Sequence, residues 1–550
     1  MSHIKTTNVL IVGAGPSGMT MALALAKFGI ASVVVDRRAE NLSTPRAHAL
    51  NPRTLEIFSA LDIDVNALKS IATPVEESCW VRFVDTLSGD EYGKLPYERM
   101  HQSDDLPTPW PLFNIAQPDV EAVMQSYIDK EELIEVIRPC QWQSCQQHPE
   151  GVESILQDQQ GNELRIFSRY LIGADGAGSP VRESQGIKME GMGIVHDFVM
   201  IQFKADLSEI VKDKPGILYW TLQNDCNGTF IAFNQRNNWV FMYPYDSSGA
   251  DISYFTKEKC RDIVIKAIGQ NDINVEILSN GGWGLGSQVA DQYSHNNVFL
   301  VGDSAHRYPP TGGLGLNTGV GDAHNLAWKM AGVLKGWAWP GLLDSYHTER
   351  QKVAQNNADF STENAGKLFD VFVASGALMP EGKQQSLQEL QADKTRWSEL
   401  QQAIQQQGDH FDGLALQIGQ HYGREQAPDL RAASFQYSDV GARFPHTWLT
   451  IKDQKTSSHQ LLSSTEFTVL VAKGIELPNF SVEVPYQIKV EGEDFIADKE
   501  SLATMGMGDA SLIIVRPDGH ISARFSEQKV TSDGLQQALT KASAKFLALQ

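Results

Sequence analysis

Two glycine-rich segments about 290 residues apart constrain the fold of this chain most strongly. The first, residues 9–18, reads VLIVGAGPSG, so that its glycines follow a short apolar run directly. This pattern is typical of a buried strand, a tight turn and a helix start that together hold the pyrophosphate of a dinucleotide. The second, residues 298–317, reads VFLVGDSAHRYPPTGGLGLN. The two segments predict one α/β ligand-binding domain that is assembled from distant parts of the chain.

The first segment contains the spacing Gly-x-Gly-x-x-Gly at Gly13, Gly15 and Gly18. We expect Gly13 to allow the tight turn, Gly15 to let the backbone approach phosphate, and Gly18 to let the helix pack closely on the strand. Pro16 and Ser17 fall in the first helical turn, where proline is tolerated and free N–H groups face an anion. Taken alone, this segment could hold either NAD or FAD.

An acidic residue closes the next apolar run. Asp36 is placed to accept hydrogen bonds from ribose hydroxyls, and its charge would repel a 2′-phosphate, which argues against NADP at this site. Arg37 follows directly, and we count it among the residues that bind the cofactor.

The second segment favours a flavin. Gly302 and Asp303 end a predicted parallel strand, where α/β sheets place their ligands, and Asp303 can accept from a ribityl hydroxyl. Pro310 lies in a loop that its prolines stiffen. The glycines that follow have no side chains, so their backbone can lie directly against a planar ring. The N–H groups that follow can stabilise negative charge on a reduced flavin. The residues of this loop that we expect to contact the cofactor are Pro310, Gly313, Gly315, Leu316 and Asn317.

Three further residues are candidates on their chemistry. Arg46 suits either a phosphate or the face of a flavin. His48 has two interpretations, a structural histidine or a residue that contacts the substrate. Asp175 lies in the segment GADGAGSPVR, where it either bonds its own turn or contacts a ligand.

Hydrophobic alternation between about residues 190 and 285 predicts an antiparallel sheet inserted into the α/β domain. A glutamine-rich helical linker and a small C-terminal α/β unit follow. The predicted division is 1–75, 116–188 and 289–375 for the cofactor domain, 76–115 and 189–288 for the substrate domain, 376–430 for the linker and 431–550 for the C-terminal domain.

Composition limits the remaining functions. The formal net charge of −21 argues against a nucleic-acid partner. Five cysteines without a metal-ligand pattern predict neither a disulfide framework nor a metal site. The N-terminus is polar, and no run reaches the roughly 20 apolar residues that cross a bilayer. These features predict a soluble cytoplasmic protein with no membrane partner.

The three segments GAGPSG, GADGAGSPVR and GDSAHRYPPTGGLGLN resemble the signatures of single-component FAD-dependent aromatic hydroxylases, relatives of p-hydroxybenzoate hydroxylase and phenol hydroxylase. The resemblance spans roughly residues 5–375. It implies that Arg46, Gln117, Asp303 and the 310–317 loop surround the flavin, and that Asp175 belongs to a segment linked to NAD(P)H and FAD contacts. It also implies transient NAD(P)H binding, followed by hydroxylation with O2 through a flavin C4a-hydroperoxide.

The tail with the sequence VRPDGH resembles the thioredoxin-like third domain of the phenol hydroxylase branch, but it contains no cysteine. Thiol redox chemistry is therefore excluded there, and packing or homodimer formation is the expected role. The implied fold is an α/β, Rossmann-like, discontinuous FAD-binding domain with an inserted antiparallel-sheet substrate domain and a thioredoxin-like C-terminal domain.

The predicted substrate is a phenolic or related aromatic ring. Trp220, Phe230, Trp239 and Phe241 of the alternating sheet are the predicted substrate wall, because the oxygenating site must exclude water. His48 is the candidate base, with the tyrosines of the sheet as alternatives, and Arg46 and Pro310 complete the predicted catalytic set. Two alternatives stay open: hydroxylation, epoxidation or Baeyer–Villiger insertion on a polyketide or antibiotic-like ring, and a non-catalytic flavin-binding protein.

Overall fold

The computed structural model describes residues 4–41, 47–249, 251–379, 384–424, 429, 436–526 and 530–543, with the side chains of 103–105 left out. Arg46 lies outside the described residues. Within them, no helix combines the length and the apolar character that crossing a membrane requires.

The strands are numbered in chain order. They are Ile4–Val12 (β1), Ser32–Val35 (β2), Ala49–Leu50 (β3), Trp80–Val84 (β4), Glu91–Pro96 (β5), Phe113–Asn114 (β6), Ile134–Ile137 (β7), Cys140–His148 (β8), Gly151–Asp158 (β9), Glu163–Gly173 (β10), Met189–Lys204 (β11), Leu218–Thr221 (β12), Gly228–Asn234 (β13), Asn238–Tyr245 (β14), Glu276–Ala290 (β15), Ser294–His295 (β16), Val298–Leu300 (β17), His306–Arg307 (β18), Trp448–Ile451 (β19), Gln454–Ser457 (β20), Phe467–Val471 (β21), Tyr486–Val490 (β22), Leu512–Val515 (β23) and Ile521–Phe525 (β24).

The α-helices are numbered in the same way. They are Pro16–Lys27 (α1), Pro52–Ala60 (α2), Val65–Ile71 (α3), Val75–Ser78 (α4), Gln117–Ile128 (α5), Pro180–Ser184 (α6), Ser208–Val211 (α7), Lys257–Ile268 (α8), Gly315–Leu334 (α9), Asp344–Ser375 (α10), Leu387–Ala392 (α11), Lys394–Gln405 (α12), Leu414–Ile418 (α13), Lys499–Met505 (α14) and Ser532–Ala542 (α15).

The first sheet has the strand order β16-β17-β10-β1-β2-β7, and β8 and β9 extend it beside β10. Strand β1 runs parallel to both β10 and β2, and β17 runs parallel to β10. The last four residues of β1 are apolar and buried, as expected for a strand covered on both faces. Helix α1 begins with Pro16 and ends before Gly29, whose φ is +70°. The predicted β-α-β opening is confirmed.

The second sheet has the order β18-β15-β11-β14-β13-β12-β4-β5 and is antiparallel at most of its strand pairs. Strands β4 and β12 are its parallel pair. Except for the short β18, its strands lie, in sequence, between strands of the first sheet, in agreement with an inserted unit. Side chains alternate between two faces along each strand.

One face of the second sheet packs against helix α8 and its surroundings. This core contains Phe230, Trp239 and Phe241, each fully buried, together with Cys260 and Val264 of α8. The opposite face, which we call the inner face, carries Met200, Trp220, Phe233 and Met242, and it joins a cluster that contains Ala49 and Ala116. The position of Phe230, Trp239 and Phe241 argues against the substrate contact predicted for them, because the sheet separates them from the inner face.

The C-terminal unit contains a four-stranded sheet of order β22-β21-β23-β24, with β21 parallel to β22 and the other pairs antiparallel. This sheet and helices α14 and α15 agree with the small C-terminal α/β unit predicted from the sequence. The single linker helix predicted over the glutamine-rich stretch is instead two helices, α11 and α12. They separate at Asp393, whose carboxylate accepts hydrogen bonds from the N–H groups of Thr395 and Arg396 and so caps α12.

Candidate active site

The turn between β1 and α1 shows a different role for each glycine of the first motif. Gly13 has a φ of +111°, and a Cβ built on it would overlap the carbonyl oxygen of Ala174 at the end of β10. A Cβ on Gly18 would overlap the carbonyl oxygen of Gly13. Gly15 has no atom within 4 Å of such a Cβ, so it borders open space at the start of α1. Two glycines therefore allow tight packing, and the third leaves room for a ligand.

The two distant motifs meet at Ser17. A Cβ on either Gly302 or Gly319 would overlap the Ser17 hydroxyl, so this side chain fills the gap between the turn after β17 and helix α9. Gly302 has a φ of +64°, which further restricts this position to glycine. The structure thus brings residues 13–18 and 302–319 into one site.

Asp36 is buried at the end of β2. Its carboxylate accepts from the Ala14 amide at 2.9 Å, and from the Arg38 amide at 2.8 Å and Arg38 Nε at 3.1 Å. Burial alone would raise the pKa of Asp36, but the hydrogen bonds from Arg38 and Ala14 lower it below its usual value. The carboxylate is therefore ionised at neutral pH, as a ribose acceptor requires. Arg37, the predicted cofactor contact, is exposed, and the guanidinium on Asp36 comes from Arg38.

The loop before α9 is held by Asn317. Its Oδ1 accepts from the Asn51 amide at 3.0 Å and from Thr54 Oγ1 at 2.7 Å. Its Nδ2 donates to the carbonyl oxygens of Ala49 at 2.8 Å and Gly313 at 2.6 Å. The buried side chain of Asn317 is therefore structural, while a Cβ on Gly315 has no atom within 4 Å and faces open space. Pro310 and Asp303 are exposed near the same loop, and Leu316 is half-buried.

The carboxylate of Asp175 accepts a hydrogen bond from within its own turn. Its Oδ2 accepts from the Val181 amide at 3.0 Å, whereas its buried Oδ1 has no partner in the described part of the chain. Burial raises the pKa of this carboxyl, and hydrogen bonds from Ser179 and Val181 offset part of the shift. The turn interpretation therefore accounts for one oxygen and leaves the other available to a ligand.

Gln117 starts α5. Its side-chain amide donates to Glu121 at 2.7 Å, and its backbone N–H donates to the carbonyl oxygen of Ala47 at 3.0 Å. The short segment 47–50 is therefore bonded on one side to residues 113–117 and on the other to Asn317.

His48 lies in that segment, half-buried, between the loop and the inner face. Its Nδ1 is 2.9 Å from Asn114 Oδ1, and its ring lies edge-on to Phe233 at 5.9 Å and stacked near Tyr97 at 6.5 Å between centroids. Burial lowers the pKa of His48 below its usual value, and the bond to Asn114 offsets part of this effect. His48 is therefore neutral at pH 7 and able to accept a proton.

Trp220 is the member of the predicted aromatic wall that lies on the inner face. It is half-buried and meets Phe372 of α10 in a T-shaped contact at 6.2 Å. Its neighbours there, Met200 and Met242, are also only partly buried. This partly exposed apolar surface beside His48 is suited to a planar apolar ligand.

Sequence reasoning missed Asn114 and Tyr97. Asn114 lies in a two-residue strand and Tyr97 follows an edge strand, so neither belongs to a recognisable motif. It also missed Asp322, Arg350 and the pairing of His306. A signal for that buried polar surface exists in α10, where the buried residues Arg350, Asn357, Ser361 and Asn364 recur at helical spacing.

The residues present fit FAD. The open space at Gly15 and at Gly315 lies on the two motifs that Ser17 joins, and an ionised Asp36 closes the first motif. A dinucleotide's pyrophosphate suits the N-terminus of α1, where backbone N–H groups and the helix dipole favour an anion. A planar ring suits the bare backbone before α9.

Two protein families match the chain. A family described as FAD binding domain matches residues 6–361, and one described as aromatic-ring hydroxylase, C-terminal, matches residues 438–544. Together they cover most of the described structure.

Individual relatives agree over nearly the whole length. A Streptomyces halstedii protein assigned as a polyketide hydroxylase is 30% identical over 98% of this chain and 97% of its own. The 2,4-dichlorophenol 6-monooxygenase of Delftia acidovorans is 28% identical over 97% of this chain and 98% of its own. The crystal structure of the flavin-dependent monooxygenase PieE with FAD and substrate superposes with a TM-score of 0.90 at 28% identity, covering 99% of this chain and 100% of that chain.

Proposed function

Because the chain belongs to the FAD-dependent aromatic-ring hydroxylase family, we propose that it hydroxylates a phenolic or related aromatic ring with His48 as the base. The enzyme is an FAD-dependent monooxygenase that takes its electrons from NAD(P)H. The observation that carries the substrate proposal is the position of His48. Its segment is bonded both to the flavin loop, through Asn317, and to Asn114, and its ring borders the apolar inner face.

Bound FAD supplies the redox chemistry and the activation of O2, and the protein supplies the rest. Asn114 Nδ2 lies 3.5 Å from Met100 Sδ, which orients Oδ1 of the amide towards His48. Nδ1 of His48 then donates to Asn114, and Nε2 is the proton acceptor. A phenol resembles tyrosine, with a pKa near 10, so about 0.1% is ionised at pH 7. A base that removes the phenolic proton therefore raises the nucleophilicity of the ring.

The inner face supports Trp220 as a substrate contact and adds Met200, Phe233 and Met242 to the proposed wall. We assign the phosphate and ribose contacts to residues 13–18 and Asp36, and the ring contacts to 313–317. Asp303 and Gln117 stay in the proposed set, as does Arg46 on its sequence position. The exposure of Arg37 favours Arg38 in its place.

A multi-ring substrate is the second candidate. The inner face continues along β11 and β15 to Phe198 and Trp283, whose ring centroids are 5.8 Å apart. A surface of this extent can hold more than one fused ring, and the relative assigned as a polyketide hydroxylase agrees with that size. The relatives that are named as monooxygenases support an enzyme over a non-catalytic flavin-binding protein.

The predicted division into domains, with a thioredoxin-like unit from residue 431, stays part of this proposal. The strands of the second sheet, between about residues 80 and 307, and the four-stranded sheet after residue 467 support it.

A substrate panel tests the proposal. Simple phenols, salicylates and polycyclic phenols are each given to the FAD-loaded enzyme, while NAD(P)H oxidation, O2 consumption and hydroxylated product are measured together. We expect at least one phenol to stimulate NAD(P)H oxidation with matching product. The aromatic assignment would be overturned if phenols stimulated NAD(P)H oxidation but none gave a hydroxylated product, while a non-aromatic ketone was oxygenated.

A further inference from the structure

A buried charged network lies behind the flavin loop and extends into the C-terminal unit. Its centre is Asp322 of α9, which is fully buried. The carboxylate accepts from the Gly302 amide at 3.2 Å and from Arg350 Nε at 2.9 Å, and it lies 2.7 Å from His306 Nε2. Because Gly302 belongs to the motif that meets Ser17, the position of Asp322 affects the backbone of the cofactor site directly.

Arg350 connects this centre to a tyrosine outside the first sheet. Its Nη2 donates to the carbonyl oxygen of Thr318, in the first turn of α9, at 3.2 Å. Its Nη1 donates to Tyr422 Oη at 3.3 Å. The ring of Tyr422 stacks on His520 with centroids 4.2 Å apart and an interplanar angle of 27°. One guanidinium therefore joins the start of α9 to a residue held by the C-terminal unit.

The turn at residues 516–520, between β23 and β24, forms a second connection. Arg516 donates both terminal nitrogens to Glu349, at 2.7 and 2.9 Å, and also pairs with Asp518. Asn325 of α9 donates to Asp518 at 3.1 Å and to Glu349 at 2.7 Å. These groups are buried or nearly so, and each buried charge has an opposite partner, as burial of charge requires.

Simple packing between two domains would be served by apolar contacts at lower desolvation cost. Apolar contacts are also present, since Phe467 of β21 meets Trp328 of α9 at 5.8 Å between ring centroids. The paired charges add something that this packing does not, because they end on two backbone groups of the cofactor site, the Gly302 amide and the Thr318 carbonyl. We propose that the C-terminal unit is a positioning element for FAD: Tyr422 and the 516–520 turn fix Arg350, and Arg350 fixes Asp322 and the start of α9. This inference concerns cofactor binding and is independent of which substrate is hydroxylated.

The substitution Tyr422→Phe tests the proposal, because it removes the hydroxyl and keeps the ring that stacks on His520. The matched control is Tyr437→Phe, whose ring packs against Arg424 at 4.1 Å. Apoprotein of each is titrated with FAD and followed by flavin fluorescence. We expect Tyr422→Phe to bind FAD about fivefold more weakly, near the lower end of coupling between distinct sites, with the control unchanged.

A second measurement needs no substitution. Coupling between sites is reciprocal, so FAD should in turn stabilise the C-terminal unit. Hydrogen exchange of the amides in β23 and β24 should slow when FAD is added to the unmodified full chain, and this slowing should be reduced in Tyr422→Phe. If FAD leaves exchange in β23 and β24 unchanged, or if both tyrosine variants bind FAD with equal affinity, the C-terminal unit only packs and the proposal is overturned. A chain that binds no FAD would instead contradict the family assignment.

Discussion

Replacement of His48 by alanine should slow hydroxylation strongly at pH 7 and much less at high pH. The hydrogen bond from His48 Nδ1 to Asn114 holds the ring so that Nε2 can accept the phenolic proton. Without this base, the reacting species is the fraction of phenol that is already ionised, about 0.1% at pH 7 for a pKa near 10. The expected loss is therefore up to about 10³-fold, within the usual range for a positioned acid or base.

The pH profile separates this role from a structural one. In His48→Ala the rate should rise about tenfold per pH unit until the phenol itself ionises, because the ionised fraction rises in the same way. In the unmodified enzyme, burial lowers the pKa of His48 below its usual value, so the base is neutral at pH 7 and the rate should change much less from pH 7 upwards than in His48→Ala.

The assay is product formation at saturating substrate between pH 6 and 9, with flavin content measured on the same samples. The control is His101→Ala, since His101 is an exposed histidine stacked on Trp80 at 6.3 Å. Equal product rates for His48→Ala and the control at pH 7, with full flavin content, would refute the assignment of the base. So would a His48→Ala profile parallel to that of the unmodified enzyme.

Three further predictions concern packing and buried charge. Gly302→Ala should lose FAD and about 1–3 kcal/mol of stability in thermal melts, because the added Cβ would overlap the Ser17 hydroxyl and the backbone φ is positive. The control Gly178→Ala should leave the melting temperature unchanged, because a Cβ there faces open space. Arg443→Ala should cost about 3–5 kcal/mol in urea unfolding, since Arg443 donates to the buried carboxylate of Glu56 at 2.8 and 2.5 Å. Burial and Asp412 raise the pKa of Glu98 to about 8, so the folded state holds a proton between about pH 4.3 and 8 that the unfolded state releases. The stability of the unmodified protein should therefore fall as pH rises through this window. Between pH 5 and 8.5 the melting temperature of Glu98→Gln should fall less than that of the unmodified protein. An equal fall in the two proteins would contradict the raised pKa of Glu98.

Local chemistry explains why the β1-α1-β2 unit could be predicted. An apolar run, three glycines at fixed spacing and a proline at the first helical position all specify the same backbone path, and each acts within a few residues. The start of α9 was predictable for the same reason. Gly13 shows the limit of this reasoning, because its partner, the Ala174 carbonyl, comes from a strand about 160 residues further along the chain.

Hydrophobic alternation predicted the second sheet but could not say which face meets the ligand. A period of two residues divides the side chains between two faces, but it does not tell which face packs against protein and which meets a ligand. Helix α8 covers the face of Phe230 and Trp239, because its own apolar residues Cys260 and Val264 require a partner. Trp220 and Phe233 are left on the inner face with His48. The assignment is decided by tertiary packing and not by the aromatic content of either strand.

Assembly of the site depends on residues that no single segment supplies. Asn317 bonds Ala49, Asn51 and Thr54 as well as its own loop, and Ser17 fills the gap beside Gly302. The N-terminal β-α-β unit therefore supplies the phosphate turn, but it does not contain the ring site. That site needs β17 and α9, which follow the second sheet in sequence. A ligand that contacts both motifs binds only the assembled state, so its binding energy stabilises the joined segments together. FAD should accordingly raise the stability of α9 and the 47–50 segment more than that of α8, which packs on the face of the second sheet opposite to the inner face.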